Sequence, residues 1–507
     1  MKRLSLVIFA LTLALAPLPP ELARPARATQ VAGALDTAAV DRYVEAQLET
    51  LRIPGAALAV VDGGRVVHLR GFGRADGEGR PMTAQTPSLI GSLTKSFTAV
   101  AIMQLVEQGT VELDAPVQRY LPWFRVADPA ASAEITVRHL LTHTGGLPTG
   151  DDTAVLSRAD TGADAIERQV RSLAAVEPTA PAGSTWQYSN AGYATLGLIV
   201  ETASGRSYED YVRQQIFEPL GMGQSFASPE EARAYGLAEG HTYWFGQPRP
   251  TSLPYPRGLL PAGFLASSAE DMGRYMLLHL NGGHVGEARL LSPEGVAELH
   301  RPTVALDEGI WAGMGWAVGD MDGVRVLQHD GDVGNYRADM WLMPETGRGF
   351  VLLLNGSDPF QKSAARGLGQ GVAAMLAGHE PQPVARNPLS LVLYGAVLGI
   401  AAAQLLGMAR SVRTLRRWRA TPPEPSFWRL LILPLAGNLL VALLFLALVP
   451  AALLGGSLSA AIFTAPDLGY TLAIVGALAL VWAIARTALA LRVSRRPAAR
   501  ASRLSAV

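Results

Sequence analysis

Ser92-Leu93-Thr94-Lys95 opens an apolar run that predicts a helix over Ser92–Gln108, closed by a glycine. Ser92 and Lys95 stand at positions i and i+3 and therefore share one helix face. An amine in a partly desolvated site can take the proton of a serine hydroxyl, and N–H groups at a helix N-terminus favour negative charge on the same oxygen. The stretch could therefore hold a nucleophile, its basic partner and part of an oxyanion hole.

A second interpretation of this stretch is purely structural. A serine at a helix start often serves as the N-cap, and the lysine would then lie in solvent. A S-x-x-K string also arises by chance in a chain of 507 residues. Lysine in a first turn, however, has the unfavourable sign for the helix dipole, so helix stability alone does not explain Lys95.

The bulk composition excludes several classes of function. The formal net charge is +0, which gives no indication of a nucleic-acid partner. The chain has 0 cysteines, so disulfides and thiolate metal sites are impossible. Hydrophobic residues make up 49% of the chain against 17% charged residues, and this excess is concentrated at the two ends.

The first 28 residues are typical of a secretory signal peptide. Lys2 and Arg3 precede the apolar run Leu4–Ala16, which is short for a membrane span, and Ala26-Arg27-Ala28 is an A-x-A cleavage pattern. The alternative is an uncleaved anchor, because prolines blur the end of the apolar run.

Three apolar segments near the C-terminus are long enough to cross a bilayer as helices: Leu389–Ala409, Leu430–Leu454 and Tyr470–Leu491. Arginines cluster between the first two segments and in the tail, residues 492–507, whereas Asp467 is the charge between the last two. The positive-inside rule then predicts a multi-pass cell-membrane protein. Residues 29–388 would lie on the periplasmic or extracellular side, with the basic tail in the cytoplasm.

The region from 33 to 377 has globular composition and is followed by a proline-rich linker, residues 378–388. Strands are predicted near both of its ends and helices in the middle. The predicted strands are Ala56–Val61, Arg65–Arg70, Val324–Gln328, Ala338–Leu342 and Phe350–Leu354, and the further helices are Ala191–Ser204 and Ser267–Leu280, the latter with a capping box from Ser267 to Glu270. This order predicts an α+β fold, an antiparallel sheet flanked by helices with an all-helical insert, followed by three transmembrane helices.

Tyr188-Ser189-Asn190 lies between a Pro/Gly-rich loop and an apolar helix. A phenol can act as a general base when a nearby cation lowers its pKa, and Lys95 could be that cation. Asn190 offers an amide to a substrate or to the lysine. The structural alternative is a surface tyrosine followed by an N-cap asparagine.

His329-Asp330-Gly331 closes a predicted strand, where the glycine would let the backbone approach a ligand closely; the alternative is an ordinary turn.

His139 and His143 have the i, i+4 spacing of a metal pair, but no third ligand is evident and the sequence has no H-E-x-x-H. We therefore expect no metal and no cofactor. The sequence also has no G-x-S-x-G, which disfavours an α/β-hydrolase site.

Taken in order, Ser92-x-x-Lys95, Tyr188-x-Asn190 and His329-x-Gly331 resemble the motifs of the serine β-lactamase-like family, which includes class C β-lactamases, DD-peptidases, D-aminopeptidases and esterases. Three supporting strings, Leu140–Pro148, Trp186–Tyr193 and Pro261–Ser268, also resemble this family, and the resemblance covers roughly residues 35–375. The resemblance implies a β-lactamase/transpeptidase-like fold.

The resemblance also implies roles for individual residues. Ser92 would be the acylated nucleophile, with Lys95 and Tyr188 sharing its proton transfers. Asn190 would hold the substrate amide or the lysine, His329, Asp330 and Gly331 would contact the substrate, and the backbone N–H groups of Ser92 and Asp332 would form the oxyanion hole.

The third motif departs from the family pattern, which usually has lysine, then serine or threonine, then glycine. Here His329 replaces the lysine and Asp330 adds an acid, and an unpaired carboxylate would repel a carboxylate substrate. The departure puts β-lactam hydrolysis in doubt. It favours esters, amides or peptides that lack that anion, or a protonated His329 that acts only in acid.

These observations predict a membrane-tethered serine hydrolase that forms an acyl-enzyme at Ser92 outside the cytoplasm. Its expected partners are a small-molecule or peptide substrate, peptidoglycan-derived peptides among them, and membrane lipid, but no nucleic acid. The alternatives are a penicillin-binding-like receptor and an accessory membrane protein without activity.

Overall fold

The computed structural model of the chain describes residues 35–149, 160–420, 431–453 and 457–494. The predicted signal peptide and most of the basic tail lie outside these ranges. The strands are β1 Gly55–Asp62, β2 Arg65–Gly73, β3 Ser88–Leu89, β4 His241–Trp244, β5 Gln247–Pro250, β6 Ala266–Ser267, β7 His284–Val285, β8 Ala288–Arg289, β9 Val304–Asp307, β10 Ile310–Ala312, β11 Ala317–Met321, β12 Val324–Asp332, β13 Arg337–Met343 and β14 Arg348–Leu354.

Eight of the described strands form one antiparallel sheet, in the order β2-β1-β14-β13-β12-β11-β10-β9. The turn between β1 and β2 contains Gly63 and Gly64, both with positive φ, as a tight hairpin requires. The first strand then pairs with the last, with Ala56 opposite Leu354. The two ends of the globular region (residues 35–377) therefore meet in one sheet, which confirms the predicted antiparallel α+β fold.

Helices cover both faces of this sheet. In the globular region they are α1 Thr37–Leu51, α2 Thr94–Glu107, α3 Pro129–Glu134, α4 Val137–Leu141, α5 Ala165–Ser172, α6 Asn190–Ser204, α7 Tyr208–Val212, α8 Pro229–Tyr235, α9 Leu260–Gly263, α10 Ala269–Leu280, α11 Pro293–Leu299 and α12 Lys362–Leu376. Helices α1 and α12 pack on one face, and the large helical insert, with α2 at its centre, packs on the other.

The burial of α2 explains why its sequence is apolar along nearly its whole length. Its side chains from Thr94 to Leu105 are all buried, so the helix has no solvent-facing stripe. A single 3₁₀ turn, Gly91–Leu93, leads into it, and the α-helix proper begins at Thr94 rather than at Ser92. Ser92 therefore lies in the 3₁₀ turn that precedes a helix buried in the middle of the core.

The predicted capping box of the helix over 267–280 is wrong by one residue. Ser268 is the N-cap of α10 and accepts a hydrogen bond from Asp271 N, and the helix begins at Ala269. Ser267 instead lies in β6, where its hydroxyl is hydrogen-bonded to Ser225. The short β3–β6 pairing holds Ser267 in an extended conformation and so decides between two adjacent serines.

The C-terminal helices are α13 Leu389–Ala420, α14 Leu433–Leu443, α15 Val449–Leu453, α16 Leu458–Thr464 and α17 Pro466–Ser494. A π-helical turn, Leu444–Leu448, joins α14 to α15. Three stretches are long and apolar enough to cross a membrane: Leu389–Trp418, Leu433–Ala452 and Pro466–Arg492. Helix α13 continues past Ala409, the predicted end of the first span. The first arginines of the expected loop therefore lie in this helix.

A buried ion cluster lies on the α1/α12 face of the sheet. Arg337 is 2% exposed and its guanidinium lies 2.8 Å from Asp339 Oδ1 and 3.2 Å from Asp330 Oδ2. Burial raises the pKa of Asp339 to about 6, even though the guanidinium acts to lower it. Because a buried charge is costly unless it is paired, Arg337 is needed to keep Asp339 ionised.

Replacing Arg337 by methionine should therefore destabilise the fold by about 3–5 kcal/mol near pH 8. Without the guanidinium the pKa of Asp339 rises further above its unfolded value, so the carboxyl becomes protonated as the pH falls and the loss should be smaller near pH 5. The measurement is the thermal unfolding midpoint of the full chain in detergent at both pH values. Arg65→Met on exposed β2 is the matched control, and an equal loss at both pH values would contradict this account.

Candidate active site

Ser92 is held where the 3₁₀ turn before α2 passes under the end of β12. Gly91 has a φ of +55°, which a side chain would disfavour, and a Cβ added there would lie 2.6 Å from Asp332 N. The Ser92 side chain is partly exposed, whereas its neighbours Gly91 and Leu93 are buried. The hydroxyl is thus presented to solvent from an otherwise closed core.

Lys95 is completely buried, and three acceptors surround its ammonium. The Nζ atom lies 3.1 Å from Ser92 Oγ, 2.7 Å from Asn190 Oδ1 and 2.6 Å from the backbone oxygen of Ala262. A buried ammonium is tolerated only when its N–H donors are satisfied, and these three contacts provide that. The solvent-exposed lysine of the structural interpretation is therefore not what the fold contains.

Tyr188 approaches Ser92 from the loop before α6. Its hydroxyl lies 2.7 Å from Ser92 Oγ, and Lys95 Nζ lies 4.6 Å from the centre of its ring. The serine oxygen is therefore within hydrogen-bonding distance of both a phenol and an ammonium. The positive charge of Lys95 favours negative charge on either oxygen, which is the condition for moving a proton between them.

Asn190 begins α6, but Ser189 rather than Asn190 is the N-cap, since its hydroxyl accepts from Gly192 N. The Asn190 amide is therefore available to the site, where its oxygen accepts from Lys95. Four of the predicted residues, Ser92, Lys95, Tyr188 and Asn190, thus converge at one point although the sequence separates them by up to 98 positions.

His143 also belongs to this cluster, a role that the sequence analysis did not assign to it. Its ring lies 4.6 Å from that of Tyr188 and 5.0 Å from that of Tyr193, and its Nδ1 accepts from Ser189 N at 3.1 Å. Burial, with the nearby Lys95 charge, lowers the pKa of His143 well below its ordinary value, so the ring is neutral. It therefore packs against the Tyr188 ring and holds the loop that carries it. The string Leu140–Pro148, which contains His143, was the sequence feature that could have indicated this role.

The two histidines considered as a metal pair do not share a helix face. Helix α4 ends at Leu141, and His143 has a φ of +57°, which turns the chain away. His139 Nδ1 accepts from Thr136 N in a capping box. Within the described residues no cluster of His, Asp or Glu suited to a metal ion is found.

The end of β12, at Gly331 and Asp332, is in close backbone contact with the 3₁₀ turn that carries Ser92. A Cβ added at Gly331 would lie 3.0 Å from Ser92 N and 2.1 Å from Ile90 O, so the strand and the 3₁₀ turn are in direct backbone contact there. Only glycine permits this approach. The contact brings Ser92 N and Asp332 N to the same corner, where a carbonyl oxygen could receive both donors.

His329 and Asp330 lie on opposite faces of β12, because successive side chains of a strand alternate. His329 faces the site, where burial and the Lys95 charge lower its pKa to about 4. Asp330 faces the other way and is paired with Arg337 at 3.2 Å and Arg366 at 3.6 Å. The expectation of an unpaired Asp330 carboxylate facing the substrate therefore does not match the fold.

A cleft of about 200 Å³ opens at Ser92. Asp332, not Asp330, supplies a carboxylate to its lining, and Lys362 Nζ lies 3.6 Å from that carboxylate. The Ser357 hydroxyl also donates to Asp332 at 2.8 Å. The rest of the wall near the serine is largely apolar, with Leu253, Leu259, Phe264 and Val333.

The sequence profile of the family described as Beta-lactamase matches residues 40–374. The chain belongs to the beta-lactamase family. It is 34% identical over 355 residues to Penicillin-binding protein 4 of Amycolatopsis lactamdurans, covering 67% of this chain and 92% of that one. This family membership confirms the resemblance inferred from the three motifs.

Other relatives carry different names. The chain is 34% identical over 240 residues to Esterase EstB of Burkholderia gladioli, covering 44% of this chain and 59% of that protein. With Unguisins hydrolase ungD' of Aspergillus campestris it shares 28% identity, covering 62% of this chain and 60% of that one. The solved octameric penicillin-binding protein homologue from Pyrococcus abyssi aligns with a TM-score of 0.61 at 28% identity, over 69% of this chain and 79% of that one. The family is one of serine hydrolases, and its members here are named as penicillin-binding protein, esterase and hydrolase.

The neutral state of His329 leads to a test by pH profile. Because its pKa is lowered to about 4, the ring stays neutral from about pH 5.5 upward, and His329→Gln should keep the shape of the kcat/KM profile between about pH 5.5 and 8.5. The assay is hydrolysis of p-nitrophenyl acetate by the full chain. His284→Gln, on β7, is the control. A change in kcat/KM near pH 6.5 that is present in the parent and in His284→Gln but absent from His329→Gln would contradict this account, because it would show that the His329 imidazole titrates there.

Proposed function

We propose that this protein is a membrane-tethered serine hydrolase that forms an acyl-enzyme at Ser92. The observation that carries the proposal is the contact of Ser92 Oγ with both Lys95 Nζ, at 3.1 Å, and the Tyr188 hydroxyl, at 2.7 Å. A serine hydroxyl is a weak nucleophile until its proton is accepted. The Tyr188 hydroxyl donates to Ser92 Oγ in the structure, and its ionised form, which the neighbouring Lys95 cation favours, is the proposed acceptor.

In the proposed reaction, the Lys95 charge favours the ionised form of Tyr188. The Ser92 Oγ attacks the substrate carbonyl while its proton passes to this phenolate oxygen. The same pair returns the proton to the leaving alcohol or amine. Water then attacks the acyl-enzyme, and the proton route is reversed. Asn190 is assigned the task of holding Lys95 or the substrate amide.

The backbone N–H groups of Ser92 and Asp332 are the proposed oxyanion hole. The close packing of Gly91 and Gly331 supports this assignment, since it leaves both donors next to the attacking oxygen. Donors fixed in place before the reaction stabilise the charge that develops on the carbonyl oxygen, and losing one costs about 10²–10³ in rate.

Esters are the substrates that this site favours among the peptides, amides and esters considered. The family position for the substrate carboxylate holds neutral His329, and the carboxylate of Asp332 lines the cleft. Both features weaken binding of an anionic substrate, although Lys362 offsets part of the Asp332 charge. A relative named as an esterase is in keeping with this choice.

The proposed organisation keeps residues 33–377 as the hydrolase domain, 378–388 as a linker and 389–491 as three transmembrane helices. Residues 377–388 contain neither helix nor strand, which suits a linker. Asp467, at the start of the third apolar helix, contacts the hydrolase domain. This contact supports placing the domain on the side of the membrane where the third span begins. By the arginine distribution, that side is the outer one and the C-terminal tail is cytoplasmic.

The central test replaces Ser92 by alanine in the full chain. Hydrolysis of p-nitrophenyl acetate should fall by about 10³-fold or more, because the nucleophile is lost. A fluorophosphonate probe should label the parent once, at Ser92, as read by mass spectrometry. Fluorescent penicillin should label neither protein, since the cleft disfavours its carboxylate.

Ser184→Ala, on the exposed loop before Tyr188, is the matched control and should retain parental turnover. Turnover that survives Ser92→Ala would refute the acyl-enzyme. Labelling by penicillin without ester turnover would instead favour the receptor alternative.

Gly331→Ala tests the oxyanion hole. Because its Cβ would press on Ile90 O, the strand must move away from the 3₁₀ turn and separate the two donors. We expect kcat for p-nitrophenyl acetate to fall by about 10²–10³ with a smaller change in KM. Gly223→Ala, which has open space around it, is the control, and an unchanged kcat in Gly331→Ala would contradict the assignment.

A further inference from the structure

The hairpin of β4 and β5 fastens the globular region to the C-terminal helices. The buried carboxylate of Asp467, at the start of α17, accepts from Phe245 N at 2.6 Å. The Phe245 ring lies 5.1 Å from that of Tyr394, and the Trp244 ring stacks at 6.2 Å on Tyr470. The hairpin tip is therefore seated between the ends of α13 and α17.

The Ser92 cleft extends to the same junction. Thr464, the last residue of α16, lines the cleft together with Ser92, Leu253 and Phe264. One part of the wall of the candidate active site is thus built by the segment that joins two apolar spans. A substrate entering there would pass the ends of the membrane helices.

A second and larger cavity, of about 1040 Å³, lies between the hairpin and α16/α17. Trp244, Leu253, Ile462 and Tyr470 line it, and Leu253 also lines the Ser92 cleft, so the two spaces are neighbours. Trp244, Phe245 and Tyr470 are 36%, 48% and 49% exposed, an unusual exposure for large aromatic side chains. Aromatic residues at the ends of spans are typical of the membrane–water interface.

We propose that the substrate is a membrane lipid with an acyl ester. Its chain would lie in the larger cavity and its ester carbonyl would reach Ser92 past Thr464. The apolar lining, the exposed aromatic side chains and the adjoining spans all suit a lipid better than a soluble peptide. This assignment rests on the proposed acyl-enzyme chemistry and names its substrate class.

The reaction balances with water as the only co-reactant. The Ser92 Oγ–acyl bond forms as the ester C–O bond breaks, and the serine proton leaves with the lipid alcohol. Water then cleaves the acyl-enzyme, releasing a fatty acid and restoring the Ser92 hydroxyl.

The first measurement uses the full chain in phosphatidylcholine vesicles, with p-nitrophenyl acetate and p-nitrophenyl dodecanoate as probes. Because each buried methylene favours binding by about fourfold, burial of only about two of the extra methylenes of the dodecanoate should raise the dodecanoate/acetate ratio of kcat/KM above about ten. Ile462→Glu, which places a charge in the larger cavity, should lower that ratio at least about tenfold. Val67→Glu, an exposed apolar position on β2, should leave it unchanged.

A ratio that Ile462→Glu does not change overturns the lipid assignment, while acetate hydrolysis still reports on the acyl-enzyme. Acetate hydrolysis that survives Ser92→Ala refutes the chemistry instead, so the two failures are distinguishable.

A second measurement does not depend on turnover. The Ser92→Ala chain in vesicles that contain a diazirine-tailed phosphatidylcholine is photolysed, and labelled peptides are identified by mass spectrometry. Labels within residues 242–253 and 459–470 are expected. Labels confined to α13, α14 and the later turns of α17 would overturn the proposal.

Discussion

The buried ammonium of Lys95 is the constraint on which the rest of this site depends. A cation without solvent is tolerated only if every donor finds an acceptor. Its three acceptors come from the turn before α2, the first residue of α6 and the backbone of α9. Satisfying one charge therefore requires three parts of the helical insert to meet, and that meeting also brings Tyr188 to Ser92.

The sheet contributes the other half of the site through backbone contact rather than side chains. Two glycines allow the end of β12 to contact the turn before α2, and this contact brings the backbone of Asp332 close to that of Ser92. The same strand sends His329 to the site and Asp330 to the ion cluster around Arg337. One strand thus contributes to the candidate site on one face and to the ion cluster on the other, and the sheet separates the two groups of charges.

The junction with the C-terminal helices links the site to the proposed membrane. Asp467 and the hairpin aromatics hold the globular region at the ends of the apolar spans, and Thr464 completes the cleft. The segment that contains the three apolar helices is therefore part of the architecture around Ser92. This arrangement gives a physical reason for a hydrolase and three apolar helices to occur in one chain.

The sequence by itself determined the antiparallel α+β fold, the three apolar helices and the four residues that converge at the site, because period, composition and ordered motifs are local properties. The sequence also contained enough information to place Asp330 away from the site. Successive side chains of a strand point to opposite faces, so knowing that the strand extends past His329 is sufficient to assign the two residues to different faces. Tertiary structure alone decided that Asp332 and Lys362 line the cleft, that His143 packs on Tyr188, and that Thr464 closes the wall. These contacts join residues far apart in the chain, and only the packing of the core and the helix ends brings them together.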